Sequence, residues 1–199
     1  MEKKSALARR SNTGDSIYYY VAGPIENLRS HMSGALRDTI RETSTQEFDR
    51  YHWGLIVGPK NETPSQVPGK RYHVRNTPTQ GWKYEEAELH NVRTTNNLLA
   101  RILIAKVEDH ERLVAILRSI PIVQNDPNWR CRSWIANALA ELAKDDKAVG
   151  TSQLNWAVVE MTARQYVARK TAAGRYQRAE DMLKPKPTWD MLENKETVA

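Results

Sequence analysis

The segment Tyr51-His-Trp-Gly-Leu-Ile-Val-Gly58 constrains the fold of this chain more than any other. Its apolar density and its stop at Gly58-Pro59 mark a central β-strand, because strands buried on both faces read as near-continuous apolar runs. Other strands are expected around it. Ile17-Tyr-Tyr-Tyr-Val-Ala22 is rich in β-branched and aromatic residues and is closed by Gly23-Pro24. Arg71-Tyr-His-Val-Arg75 alternates in side-chain character and should pair with the central strand as a long-loop hairpin. Gly81–Glu85 and the continuous apolar run Leu98–Val107 add two more.

Beyond residue 108 the pattern turns helical. Asp109 caps a helix carrying Leu113, Ile116 and Leu117, which ends near Ser119, before Pro121. Trp134, Ile135, Ala138, Leu139 and Leu142 recur at helical spacing in a second helix, from near Cys131 to about Lys144. Gly150 breaks the chain, and Thr151 or Ser152 caps a third helix ending near Gly174. Trp189 and Leu192 pin the tail to the body. Strands first and helices after give an α+β fold: an antiparallel sheet of about four to five strands packed against the cysteine-bearing helix, with further C-terminal helices.

Two stretches stand apart. Residues 1–15 are polar and charged and read as a disordered tail, which leaves 16–199 as a single domain. In 25–44, Leu28, Met32, Leu36 and Ile40 recur every four residues, but Gly34 and several Ser and Thr residues oppose a helix. Residues 25–48 therefore either cover the core or act as a lid.

Composition excludes several classes. A single cysteine in 199 residues rules out an intramolecular disulfide framework and a multi-cysteine zinc cluster, and it fits a reducing compartment such as the cytoplasm. No apolar run reaches the roughly 18–20 residues of a membrane span, and the N-terminus lacks the apolar core of a secretory signal. The net charge of +6 is spread among acids, with no dense basic run or Gly-rich phosphate loop. It gives no strong nucleic-acid signal and reads as solvated surface, compatible with an acidic substrate or partner. No metal or cofactor is expected.

Chemistry is sought at Cys131. It lies in the first turn of its helix between Arg130 and Arg132, and both the helix N-terminus and the arginines favour thiolate. A cysteine near a helix start is also commonly a small buried hydrophobe. What would make it catalytic is a base. His52 opens the central strand and His73 lies in the strand beside it, so His52 could take the thiol proton while His73 orients the ring. Trp53, Trp129 and Tyr72 are candidate walls of a substrate pocket. Glu85, Glu86 and Glu88 read as a solvated cluster, and His31, His90 and His110 as less promising.

The order Tyr51-His-Trp-Gly-Leu-Ile-Val-Gly58, then Tyr72-His73, then a cysteine opening a helix, resembles the circularly permuted papain-like (NlpC-type) superfamily. The likeness is strongest to its lecithin:retinol-acyltransferase and phospholipase/acyltransferase branch, and it covers roughly residues 50–142. The chain is also similar to uncharacterised fungal proteins with the same His-Trp and Trp-x-Cys blocks. The resemblance implies Cys131 as nucleophile, His52 as base and His73 as orienter, in a hydrolase or acyltransferase acting on an ester, thioester or amide. Where that branch tends to read Asn-Cys-x-His-Phe, this chain reads Arg130-Cys131-Arg132-Ser133-Trp134. That departure motivates a rival expectation: a non-covalent biosynthetic enzyme, an isomerase or cyclase, or a small-molecule-binding protein on the same fold. The oligomeric state is left open.

Overall fold

A computed structural model describes residues 14–22, 51–59, 62, 65–95 and 98–199. The helix-like pattern of 25–44, the expected lid 25–48 and all but the end of the 1–15 tail lie outside the described residues. The tail's last residue, Asp15, opens the first strand.

The strands are β1 (Asp15–Ala22), β2 (His52–Pro59), β3 (Gly69–Thr77), β4 (Gly81–Leu89) and β5 (Leu98–Val107). Helices α1 (His110–Ser119) and α2 (Cys131–Asp145) follow, then β6 (Val149–Ser152), α3 (Trp156–Ala172), a 3-10 turn (Ala179–Met182), β7 (Thr188–Asp190) and β8 (Lys195–Val198). All the described strands join one sheet in the order β4-β3-β2-β1-β5-β7-β8, with β6 also on β5. The α+β class and the antiparallel pairing of β1 to β5 are thus as the strand patterns imply.

Among the described residues the sheet has eight strands where four to five were expected, and three added strands, β6, β7 and β8, account for the difference. Gly150, Thr151 and Ser152 do not cap a helix; they form β6, with Ala105 facing Ser152 and Val107 facing Val149. Backbone pairing with the edge of β5 overrides the glycine, and Asn155 caps α3 instead, accepting from Val158 N at 3.2 Å. The tail does more than pin itself. Thr188–Asp190 runs parallel to β5, and Lys195–Val198 returns antiparallel to it, so the sheet is mixed. Strands of three and four residues are too short for period-two patterning to reveal.

Strand alternation gives the sheet two unlike faces. One face is covered by all three described helices. Tyr72 Oη lies 3.5 Å from His110 Nε2 of α1. The Tyr84 ring packs 5.7 Å from Trp134 of α2. The Arg164 guanidinium of α3 lies 5.1 Å over the Trp53 ring. Ile17, Leu55, Val57, Val74, Ile102 and Ile104 complete this main core from the sheet side. The opposite face carries a smaller cluster of Ile56, Val67, Val92 and Leu98. It also carries polar groups, among them Arg101, which is 0% exposed.

Candidate functional site

The β2–β3 register pairs Leu55 with Tyr72, and the β3–β4 register pairs His73 with Glu85 and Tyr72 with Glu86. Tyr72 belongs to the helix-covered face, so His73 projects from the other one. Trp53, Leu55 and Val57 are likewise in the helix-side core, which turns His52 to the same face as His73. The two imidazoles meet there. His52 Nε2 and His73 Nδ1 share a hydrogen bond of 2.7 Å, with the rings at 78° to one another.

Both rings are held neutral. Burial, and then the Arg71 charge, push His52 down to about 4. Burial, then Arg71, push His73 down to about 3, with His52 and Arg75 adding to it. Two neutral imidazoles sharing a bond must have opposite roles in it, and Glu85 decides which. Its Oε2 lies 3.7 Å from His73 Nε2, beyond a good hydrogen bond but close enough for the carboxylate to favour a proton on that nitrogen. His73 Nδ1 is then the acceptor and His52 Nε2 the donor. This assignment leaves the His52 lone pair on Nδ1. Glu85 is itself anchored by Arg75 Nε at 2.5 Å.

Cys131 is the first residue of α2 and part of the main core, 6% exposed. The helix start is set by Arg130, whose N–H donates to Ser133 Oγ at 3.2 Å. Cys131 therefore belongs to the helix side of the sheet, and His52 and His73 to the other. A thiol–imidazole couple would have to form from opposite sides of the sheet. The aromatic candidates stay with the cysteine. Tyr72 and Trp53 are buried in the main core, and Trp129 packs edge-on against Trp82 at 5.3 Å. Of the six candidate residues, the structure brings together His52 and His73 on one face and Trp53, Tyr72, Trp129 and Cys131 within the core of the other.

Glu85 is the partner that composition-based reading missed. The three acids of β4 are not one solvated cluster. Glu85 serves the histidine face, whereas Glu86 serves the helix face. There it takes two hydrogen bonds from Arg118, at 2.6 and 3.1 Å, and an ion pair from Lys70 at 3.0 Å. The signal was available: counting outward from the turn at 78–80 pairs residue 73 with residue 85.

Ala22, the last residue of β1, pairs with His52, the first residue of β2. Among the described residues no group of three or more His, Cys, Asp or Glu could hold a metal ion, and no helix is long and apolar enough to cross a membrane. Residues 39–198, most of the chain, match the model of DUF6914, a family of unknown function. No curated protein and no solved structure matches the chain.

Proposed function

The chain belongs to the DUF6914 family, whose description carries no reaction, and from the site we propose a non-covalent proton-transfer activity on a small molecule, centred on His52. The observation that carries this reading is the 2.7 Å bond between His52 and His73 on one sheet face. In the step proposed, His52 Nδ1 takes a proton from an acidic C–H or O–H of the substrate. His73 and Glu85 stabilise the resulting imidazolium, and the same nitrogen returns the proton to a different atom. The balance is that of an isomerisation or cyclisation: no covalent enzyme intermediate forms and nothing is oxidised. Glu85 and His73 act here as the orienting groups that fix a catalytic ring's tautomer.

A cysteine-dependent acyl transfer is the second reading. It keeps one supporting observation, that Cys131 opens a helix of 15 residues and so lies where N–H groups and the dipole favour a thiolate. It asks for a base on the helix side, where His52 does not project.

The two readings separate in one experiment. The protein is incubated in D₂O with a panel of small carbonyl acids, hydroxy acids and their esters, and deuterium uptake and ester cleavage are followed by NMR. Proton transfer predicts enzyme-dependent uptake that His52→Asn abolishes and Cys131→Ala retains. Ester cleavage lost in Cys131→Ala, without His52-dependent uptake, replaces it with the acyl reading.

A further inference from the structure

We infer that Arg71 is the anion-binding residue of the histidine site, so that the ligand taken there carries a carboxylate or phosphate group beside the atom His52 acts on. The inference rests on the proton-transfer reading and adds the substrate class to it.

Arg71 precedes His73 by two residues on β3, so the two side chains leave the same sheet face about 7 Å apart at their Cα atoms. Its cross-strand neighbours are Ile56 on β2 and Ala87 on β4. Neither can accept a hydrogen bond from its side chain, and Ala87 leaves room where the longer acids on β4 would have reached across. The guanidinium differs in this from six other arginines of the fold. Arg75, Arg101, Arg112, Arg118, Arg132 and Arg164 each reach a carboxylate within an ion-pair distance. Arg71 reaches none among the described residues, and its Nε is buried without a hydrogen-bond partner. Buried polar groups are nearly always bonded, so an orphaned guanidinium nitrogen needs an explanation. A planar fork with five donors is matched by the two oxygens of a carboxylate or phosphate.

The position suits the chemistry as well as the geometry. The Arg71 charge is one cause of the low basicity of both imidazoles. An anion seated on Arg71 cancels that charge and adds hydrogen-bonding atoms beside the rings, which raises their affinity for a proton. The base then strengthens when the correct ligand arrives. Glu85 does not oppose the anion with a bare charge, because Arg75 holds it at 2.5 Å.

The test uses the full chain and two probes, inorganic phosphate and acetate, at constant ionic strength set with chloride. Ring signals of His52 and His73 are followed by NMR through a pH titration at each probe concentration. The expected result is saturable movement of both rings and an upward shift of their midpoints with at least one probe. Which probe acts decides between phosphate and carboxylate. Arg71→Gln should weaken that probe by at least about tenfold, the loss of a bidentate charge-assisted pair, and Arg71→Lys should fall between. Shifts that are absent, follow chloride equally, or persist unchanged in Arg71→Gln and Arg71→Lys overturn the inference. The two proposals fail separately. Arg71-dependent anion binding without His52-dependent deuterium uptake leaves the anion site standing and removes proton transfer. His52-dependent uptake on neutral substrates, undiminished in Arg71→Gln, does the reverse.

Discussion

The two faces of the sheet are built from the same strands and carry opposite chemistry. Along β2, Trp53, Leu55 and Val57 enter the core under the helices, while His52 and Ile56 leave on the other side. Along β3, Tyr72 and Val74 go in with the helices, and Arg71, His73 and Arg75 go out with Glu85. The helix-covered face supplies hydrophobic burial, where each large side chain is worth about 1.5–3 kcal/mol. The other face concentrates groups whose burial costs free energy unless they are paired: two imidazoles, and the Arg101 guanidinium held by Glu62 at 2.6 and 2.8 Å and by the Thr188 hydroxyl. Polar burial of that kind is weak evidence for stability and better evidence for a task.

If that division is right, damage to the helix face should appear as lost stability alone. Trp134 is 0% exposed and packs on Tyr84. Trp134→Ala should cost about 3–5 kcal/mol, from lost transfer energy and the cavity left behind. Urea unfolding monitored by far-UV circular dichroism measures it. A loss below about 1 kcal/mol would mean that the helix-side core is looser than close packing implies. On the other face, Glu62→Gln should cost about 3 kcal/mol in the same assay. It strips the carboxylate charge from a buried guanidinium that also donates to the Thr188 hydroxyl. A neutral outcome would show that Arg101 is solvated in solution.

Acid distinguishes the faces next. His52 and His73 have folded-state affinities near 4 and 3, below the ordinary histidine value of 6.5. Between those values and 6.5 the unfolded chain binds more protons than the folded one, so stability rises with pH across the window. Acidification from pH 7 toward 5 should therefore destabilise the protein, by at most about 1.4 kcal/mol per pH unit for each ring. Most carboxylates keep their charge over this range, which isolates the histidines. The double variant His52→Asn, His73→Asn should flatten the dependence, and Trp134→Ala should leave its slope as it was. A slope unaffected by the double variant would place the acid sensitivity elsewhere.

Much of this organisation was legible in residue order. The apolar runs Leu98–Val107 and Tyr51–Gly58 gave their strands nearly to the residue, and Asp109 and the Trp134–Leu142 stripe gave their helices. β6, β7 and β8 were not legible, because what forms them is the unfilled edge of β5 and of β7, a tertiary fact absent from the local pattern. Sidedness was half legible. Period two already forbids His52 and Trp53, or Tyr72 and His73, from lining one pocket together. What residue order could not say is which face the helices would cover. That choice places Trp134 and Leu139 in one core with Leu55 and Val57, and leaves Ile56 to the other.

The smallest expected effect bears most directly on the cysteine. In the main core, Cys131 is a small apolar side chain at a helix start. Cys131→Ala removes one sulfur and should cost about 1 kcal/mol. The same variant should keep deuterium uptake and should leave the ring signals of His52 and His73 unmoved, since the sheet lies between. A helix-face residue that fails to disturb the opposite face is what separate roles for the two faces require. Should Cys131→Ala instead shift those ring signals or abolish turnover, the sulfur and the imidazoles communicate, and the two faces form one site rather than two.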